Sequence, residues 1–210
     1  MCVTNVDVLL SFGGAFGGFE FSWSLLRDII EKKGLSVYLD AISLEKNEKT
    51  IYQWDDKLGI VKMSNPNWNE FYTKAMDKCK FMIFIVTKPW LNSYYCIHEY
   101  KMFLERENIP SKKIIKPIFI VFDDAFHVIS SKQTIEIRKP KGEKVLKKEV
   151  ETLNLGEFFN KINNKDRHLV MNKKDKPIKV NYKENGVEYN CEYRYALDSS
   201  ETAKILSMLK

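Results

Sequence analysis

Two stretches of this chain concentrate residues able to do chemistry. Ser11-Phe12-Gly13-Gly14-Ala15-Phe16-Gly17-Gly18 removes side chains at four positions, which would let a ligand approach backbone N–H groups that can hold phosphate. It lacks the Gly-Lys-Ser/Thr of a Walker loop and the spacing of GxGxxG, and a plain turn accounts for it equally well. The second stretch is Trp90-Leu91-Asn92-Ser93-Tyr94-Tyr95-Cys96-Ile97-His98-Glu99-Tyr100. On a helix beginning near Ser93, Tyr95 and Glu99 stand four residues apart and present a ring and a carboxylate on one face. Spacing alone also describes a surface glutamate.

The remaining reactive side chains read more plainly. His98 is next to Glu99 in sequence, but helical neighbours diverge, so it reads as a surface histidine; His127 and His168 are isolated. No motif brings a His base to Ser11, which reads as strand-end packing rather than a nucleophile. Asp123-Asp124 after an apolar run reads as a turn rather than a metal site. Trp23, Trp54 and Trp68 read as core. Cys2, Cys79, Cys96 and Cys191 form no CxxC pair, so no zinc site is expected, and free thiols suit a reducing cytoplasm.

The net charge of +6 is concentrated in Lys139–Lys148 and Lys161–Lys179. Both runs are poor in aromatics and read as solvated faces rather than a nucleic-acid surface, although a positive field would also favour a dianionic dinucleotide. No apolar run is long enough to span a bilayer. Met1–Leu10 has no basic flank or small-residue cleavage site, and its apolar stretch reads as a first strand rather than a secretory leader.

The elements that must position these residues alternate. Val6–Phe12 is an apolar run closed by glycines, a buried strand. Phe21, Leu25, Leu26, Ile29 and Ile30 have helical spacing, and Gly34 follows Lys32-Lys33 as at a helix end. Leu35–Leu39 is a second strand ended by Asp40, and a long polar loop runs to about Asn67, an N-cap for a helix over Trp68–Lys78. Phe81–Val86 is the most apolar strand. Pro89 and Asn92 or Ser93 precede a helix to about Glu107, with Cys96, Tyr100, Phe103 and Leu104 as its buried stripe. Ile114–Phe122 is the fourth strand.

Beyond Asp123 the pattern predicts a short strand at Thr134–Ile137 and a helix over Val150–Ile162. A hairpin follows, with Ile178–Tyr182 and Val187–Tyr195 flanking Asn185-Gly186. A last helix, capped by Ser199 or Ser200, runs to Leu209. The class is α/β: a flavodoxin-like parallel sheet of order 2-1-3-4-5 flanked by helices, with a C-terminal hairpin and helix elaboration. With neither repeat nor flexible linker, residues 1–210 read as a single domain, with a core over about 5–122 and an elaboration over about 123–210. In that order, the ligand crevice lies between the first and third strands, bordered by Ser11–Gly18 and Thr87–Glu99.

Four segments in this order resemble the Toll/interleukin-1 receptor (TIR) domain family over roughly Val6 to Phe122. Asp7-Val8-Leu9-Leu10-Ser11-Phe12 is similar to its opening strand, and Leu25–Asp40 resembles its first helix and second strand. Ala75–Thr87 is similar to its central strand and the helix end before it. Ser93–Glu99 looks like the SxWCxxE segment of plant and bacterial members. The resemblance implies that Glu99 is catalytic in cleaving NAD, which is substrate and not cofactor. It also implies that Ser11, Phe12, Gly13 and Gly14 line the nucleotide site, with Tyr95 standing where the family usually has Trp. Glycine follows the first strand where relatives often carry a basic or polar residue, and the loop after Asp40 is longer than usual and lacks their common Pro or Gly.

The implied chemistry suits these residues. Positive charge develops on the ribose as nicotinamide leaves, and a carboxylate beside that ring stabilises it. Tyr95, Phe12 or Trp90 could stack on a base. Capture by water gives ADP-ribose, and capture by an adenine nitrogen gives a cyclic product. The resemblance further implies self-association through TIR–TIR contacts, an effector that senses the product, and a role in antiphage or immune signalling in the cytoplasm. Two other readings stay open: a non-catalytic TIR scaffold, and an enzyme resembling nucleoside deoxyribosyltransferases, which share the sheet and a glutamate.

Overall fold

The structure is a computed structural model that describes residues 6–13, 18–38, 68–139, 150–163, 168–171, 178–184, 187–193 and 195–210. The first half alternates β1 (Val8–Phe12), α1 (Gly18–Lys33), β2 (Val37–Tyr38), α2 (Trp68–Lys78), β3 (Phe81–Val86), α3 (Lys88–Leu91), α4 (Tyr94–Glu107) and β4 (Lys116–Phe122). The second half holds α5 (Asp123–Ile129), β5 (Thr134–Arg138), β6 (Val150–Asn154), α6 (Leu155–Ile162), β7 (His168–Met171), β8 (Ile178–Glu184), β9 (Val187–Tyr193) and α7 (Ser199–Met208).

The main sheet has five parallel strands in the order β2-β1-β3-β4-β7. Strand order reverses between β1 and β3, as the crevice argument requires. The last place is filled by His168–Met171, pairing Phe119 with His168, so the fifth strand comes from deep within the second half of the chain.

Alternation along the strands sends side chains to two cores. Leu9, Phe84, Val86, Phe119 and Val121 face α2, α3, α4 and α6, while Val8, Leu10, Ile83, Ile85, Ile118 and Ile120 face α1 and α7. β3 is buried along its whole length, which is why it reads as an unbroken apolar run rather than an alternating one. The apolar stripe of α1 (Phe21, Leu25, Leu26, Ile29) lies on the second core, and the helix ends at Gly34 with φ 65°, where the Gly34 N–H donates to Ile30 O at 3.0 Å. At the far end of α4, the buried Arg106 reaches Asp77 of α2 at 3.3 Å and also donates to the Lys113 carbonyl.

Several expectations change. Val150–Ile162 is not one helix: Val150–Asn154 is a strand paired antiparallel with Thr134–Arg138, alternating exposed and buried. The helix starts only after Asn154, whose side chain accepts from the Gly156 and Glu157 N–H groups. Asp123-Asp124 opens α5 rather than a turn, and Asp198 rather than a serine caps α7, in a reciprocal capping box with Glu201. The hairpin β8–β9 pairs as expected, with Glu184 opposite Val187. Gly14, Asp40, Trp54, Asn67 and Asn185-Gly186 lie outside the described residues.

Candidate active site

Two helices in series, the first a single turn, set the position of the carboxylate. Thr87 caps α3, its hydroxyl accepting from the Trp90 N–H at 3.2 Å, with Pro89 in the first turn where a missing donor costs nothing. Ser93 caps α4, accepting from the Cys96 N–H at 3.3 Å. Each cap is worth about 1 kcal/mol, and together they put Glu99 in the second turn of α4 against the end of β1.

There Glu99 is only 8% exposed. Ser11 lies on the α4 side of the sheet with Leu9, two residues earlier, and its Oγ–H donates to Glu99 Oε2 at 2.5 Å. That length suits a charge-assisted O–H···O⁻ bond. Ser11 Oγ in turn accepts from the Trp90 indole N–H at 3.0 Å. The hydroxyl is thus used both as donor and as acceptor, and it is almost fully buried. The Cys96 thiol donates to the Phe12 carbonyl at 3.2 Å, a second tie from α4 to the strand end. Burial pushes that thiol far above the usual cysteine range, and the Glu99 carboxylate adds to the shift, so it stays protonated and donating.

The expected site residues are only partly brought together. Ser11 and Glu99 touch, whereas the Phe12 side chain points to the other face and packs with the α1 core. Gly13 is buried, and a Cβ there would lie 2.7 Å from the Trp90 nitrogen; a Cβ at Gly18 would lie 1.9 Å from the Gly13 carbonyl oxygen. Close packing of the strand end against α3 and the start of α1 therefore demands these two glycines. Tyr95 is half-buried, edge-on to Tyr94 at 5.5 Å.

Trp90 cannot be a stacking platform for a ligand. It is fully buried, parallel to Phe158 of α6 at 5.7 Å and edge-on to Phe84 and Tyr100. Apolar walls on every side account for this, since its indole N–H finds its partner within the protein.

His98 is not a free surface histidine either. Its Nδ1 lies 2.7 Å from Glu151 of β6, its ring stacks on Tyr94, and Lys101 meets the same carboxylate at 2.6 Å. Sequence reasoning missed Trp90, Glu151 and Phe158 as supports of the site. For Ser11, the period of two that puts it beneath α4 was the available signal.

Among the described residues, no group of three or more His, Cys, Asp or Glu side chains is arranged to hold a metal ion, and no helix is long and apolar enough to cross a membrane. A cavity of about 650 Å³ lined by Phe21, Leu25, Leu197 and Leu206 lies between α1 and α7. It is on the opposite side of the sheet from Glu99.

No family model and no solved structure matches the chain. Over 129 residues, 57% of its length, the chain is 32% identical to the 3′ cyclic ADP-D-ribose synthase HopAM1 of Pseudomonas syringae pv. tomato. The match takes in 45% of that protein, so the chain spans less than half the length of the curated relative.

Proposed function

We propose that this chain is a TIR-type domain that breaks the nicotinamide–ribose bond of NAD and closes the remaining ADP-ribosyl group into a cyclic product, with Glu99 as the catalytic residue. The observation that carries this reading is the buried Glu99 carboxylate, held by Ser11 where strand order reverses between β1 and β3. Its similarity to a cyclic ADP-ribose synthase favours the same bond as the target.

The C1′–N bond breaks and its electron pair leaves with nicotinamide, which departs neutral, so no general acid is needed. Positive charge then grows on the ribose, and an ionised Glu99 beside it lowers that barrier most where water is scarce. A nucleophile of the same molecule captures C1′ and loses its proton; water in that role would give ADP-ribose. A carboxylate only 8% exposed favours capture from within the molecule. The same reading assigns nucleotide binding to Tyr95 and to the backbone of Phe12, Gly13 and Gly14. Self-association through TIR–TIR contacts would complete the site, and a downstream effector in a cytoplasmic immune or antiphage pathway would read the product.

Incubating concentrated protein with NAD and following nicotinamide release with chromatography of the products tests the proposal. Glu99→Gln and Glu99→Ala should lower turnover by about 10²–10³-fold. A wild type that releases nothing, even when assembled, supports a TIR scaffold acting by contact alone. Full turnover in both variants would remove Glu99 from the chemistry.

A further inference from the structure

Glu99 is held by a chain of contacts that reaches well beyond its own helix. Its Oε2 accepts from Ser11, and Ser11 accepts from the Trp90 indole. Trp90 is in turn clamped between Phe84, Tyr100 and the parallel ring of Phe158. These three core aromatics come from β3, α4 and α6, so the ring that orders Ser11 is gripped by three separate elements. Both hydrogen bonds are buried, with Ser11 at 1% and Trp90 at 0% exposure. A serine hydroxyl has one proton, and here it is committed to Glu99 while a donor occupies the other side of the oxygen. A group so placed is poorly suited to contacting a nucleotide, and well suited to fixing one carboxylate oxygen so that the other keeps a single orientation.

We infer that Ser11 and Trp90 are positioning residues: they hold the Glu99 side chain fixed in rotamer, and Phe158 of the second half of the chain braces them. This rests on the proposed NAD-cleaving function for its kinetic readout, but not for its geometry. Misplacing a reacting group by about 1 Å can cost about 10²-fold, so a hydrogen bond that sets a rotamer acts on turnover rather than on binding. A donor to the charged form also favours that form.

The test is a double-mutant cycle of Ser11→Ala and Trp90→Phe, read by kcat, KM for NAD and the pH profile of kcat/KM. Ser11→Ala should lower kcat by about 10–100-fold with KM within about twofold, and should move the acidic limb to higher pH. Trp90→Phe, which keeps a ring but loses the N–H, should do less in the same direction, and should add nothing in the Ser11→Ala background. A raised KM with unchanged kcat would make Ser11 a substrate contact instead. Multiplying effects would reduce both residues to independent packing.

If the wild type cleaves no NAD, the functional reading fails but the geometry is still tested. Carbon-13 NMR titration of the Glu99 carboxyl should give a lower pKa in wild type than in Ser11→Ala. Equal values would overturn the inference.

Discussion

His98 Nδ1 and Glu151 Oε1 meet at 2.7 Å, joining the helix that carries Glu99 to a strand that the sequence pattern assigns to a helix. The carboxylate is acceptor only, so it fixes the imidazole proton on Nδ1, and Lys101 binds its other oxygen at 2.6 Å. Burial pushes the Glu151 pKa up, but Lys101 and His98 outweigh it and hold the group below the ordinary value of 4.5. A depressed pKa contributes stability that is complete above the unfolded value and disappears as pH falls through the folded one. Glu151→Gln should therefore cost about 1 kcal/mol near neutral pH. Thermal unfolding of both proteins should show that difference shrinking below about pH 4.5, the unfolded value; a gap unchanged down to pH 3 would refute the clasp.

A second carboxylate ties the opposite end of the sheet. Asp7 accepts from the Ser36 N–H and hydroxyl at 3.0 and 2.8 Å and pairs with Lys80 at 2.8 Å, linking the starts of β1, β2 and β3. The Lys80 ammonium, then the Ser36 N–H, hold its pKa down at about 2 against an ordinary 3.8. The sign is the same as for Glu151, so its contribution is whole above about pH 3.8 and fades as pH falls through about 2. Asp7→Asn should destabilise by about 1–2 kcal/mol at pH 7, a discount on the full shift because Lys80 is largely exposed. Urea midpoints measured from pH 7 to 2 should converge only at the acid end.

How legible this was depends on the range of the interaction. The runs Val8–Phe12 and Phe81–Val86, the cap at Ser93 and the place of Glu99 in the second turn are local, and their residues announce them. The Ser11–Glu99 bond joins residues 88 apart, and only the period of two hinted that Ser11 turns toward α4. Val150–Asn154 alternates as a strand should, but the helical spacing of Leu155, Phe158 and Ile162 runs on directly and absorbs it; the partner that decides the matter is Thr134–Arg138. His168–Met171, four residues among lysines, becomes a strand because the edge of β4 is there to pair it. Trp90 looked available as a platform because nothing nearby in sequence reveals Phe158.

The glycines after β1 separate space from conformation. At Gly13 a Cβ would meet backbone, the Trp90 nitrogen at 2.7 Å and the Pro89 carbonyl carbon at 3.0 Å, and neither can move without displacing α3. Gly34 has φ 65° but open space around the added atom. Gly13→Ala should cost about 1–3 kcal/mol from overpacking and also impair the proposed NAD turnover, because α3 carries Trp90. Gly34→Ala should cost about 1–2 kcal/mol from left-handed backbone and leave kcat unchanged. Paired measurements of Tm and kcat separate the two; equal kcat values would show that α3 absorbs the clash without disturbing Glu99.

Two buried thiols, one of them beside the site, offer a measurement independent of substrate. Cys79 and Cys96 are both buried and free. Burial raises the Cys79 pKa to about 12, with Arg106 pulling weakly the other way; burial and then the Glu99 carboxylate raise that of Cys96. Only thiolate is nucleophilic, so at pH 8 Cys79 should alkylate about 10³-fold slower than an unhindered cysteine, and Cys96 should be slowed in the same direction. Peptide mapping after brief iodoacetamide treatment should find both unmodified in the native protein and modified after denaturation. Glu99→Gln removes the second cause at Cys96 but not the first, so Cys96 should stay protected in that variant. Rapid native labelling of Cys96 would mean that α4 opens away from the Phe12 carbonyl often enough to release Glu99 from Ser11.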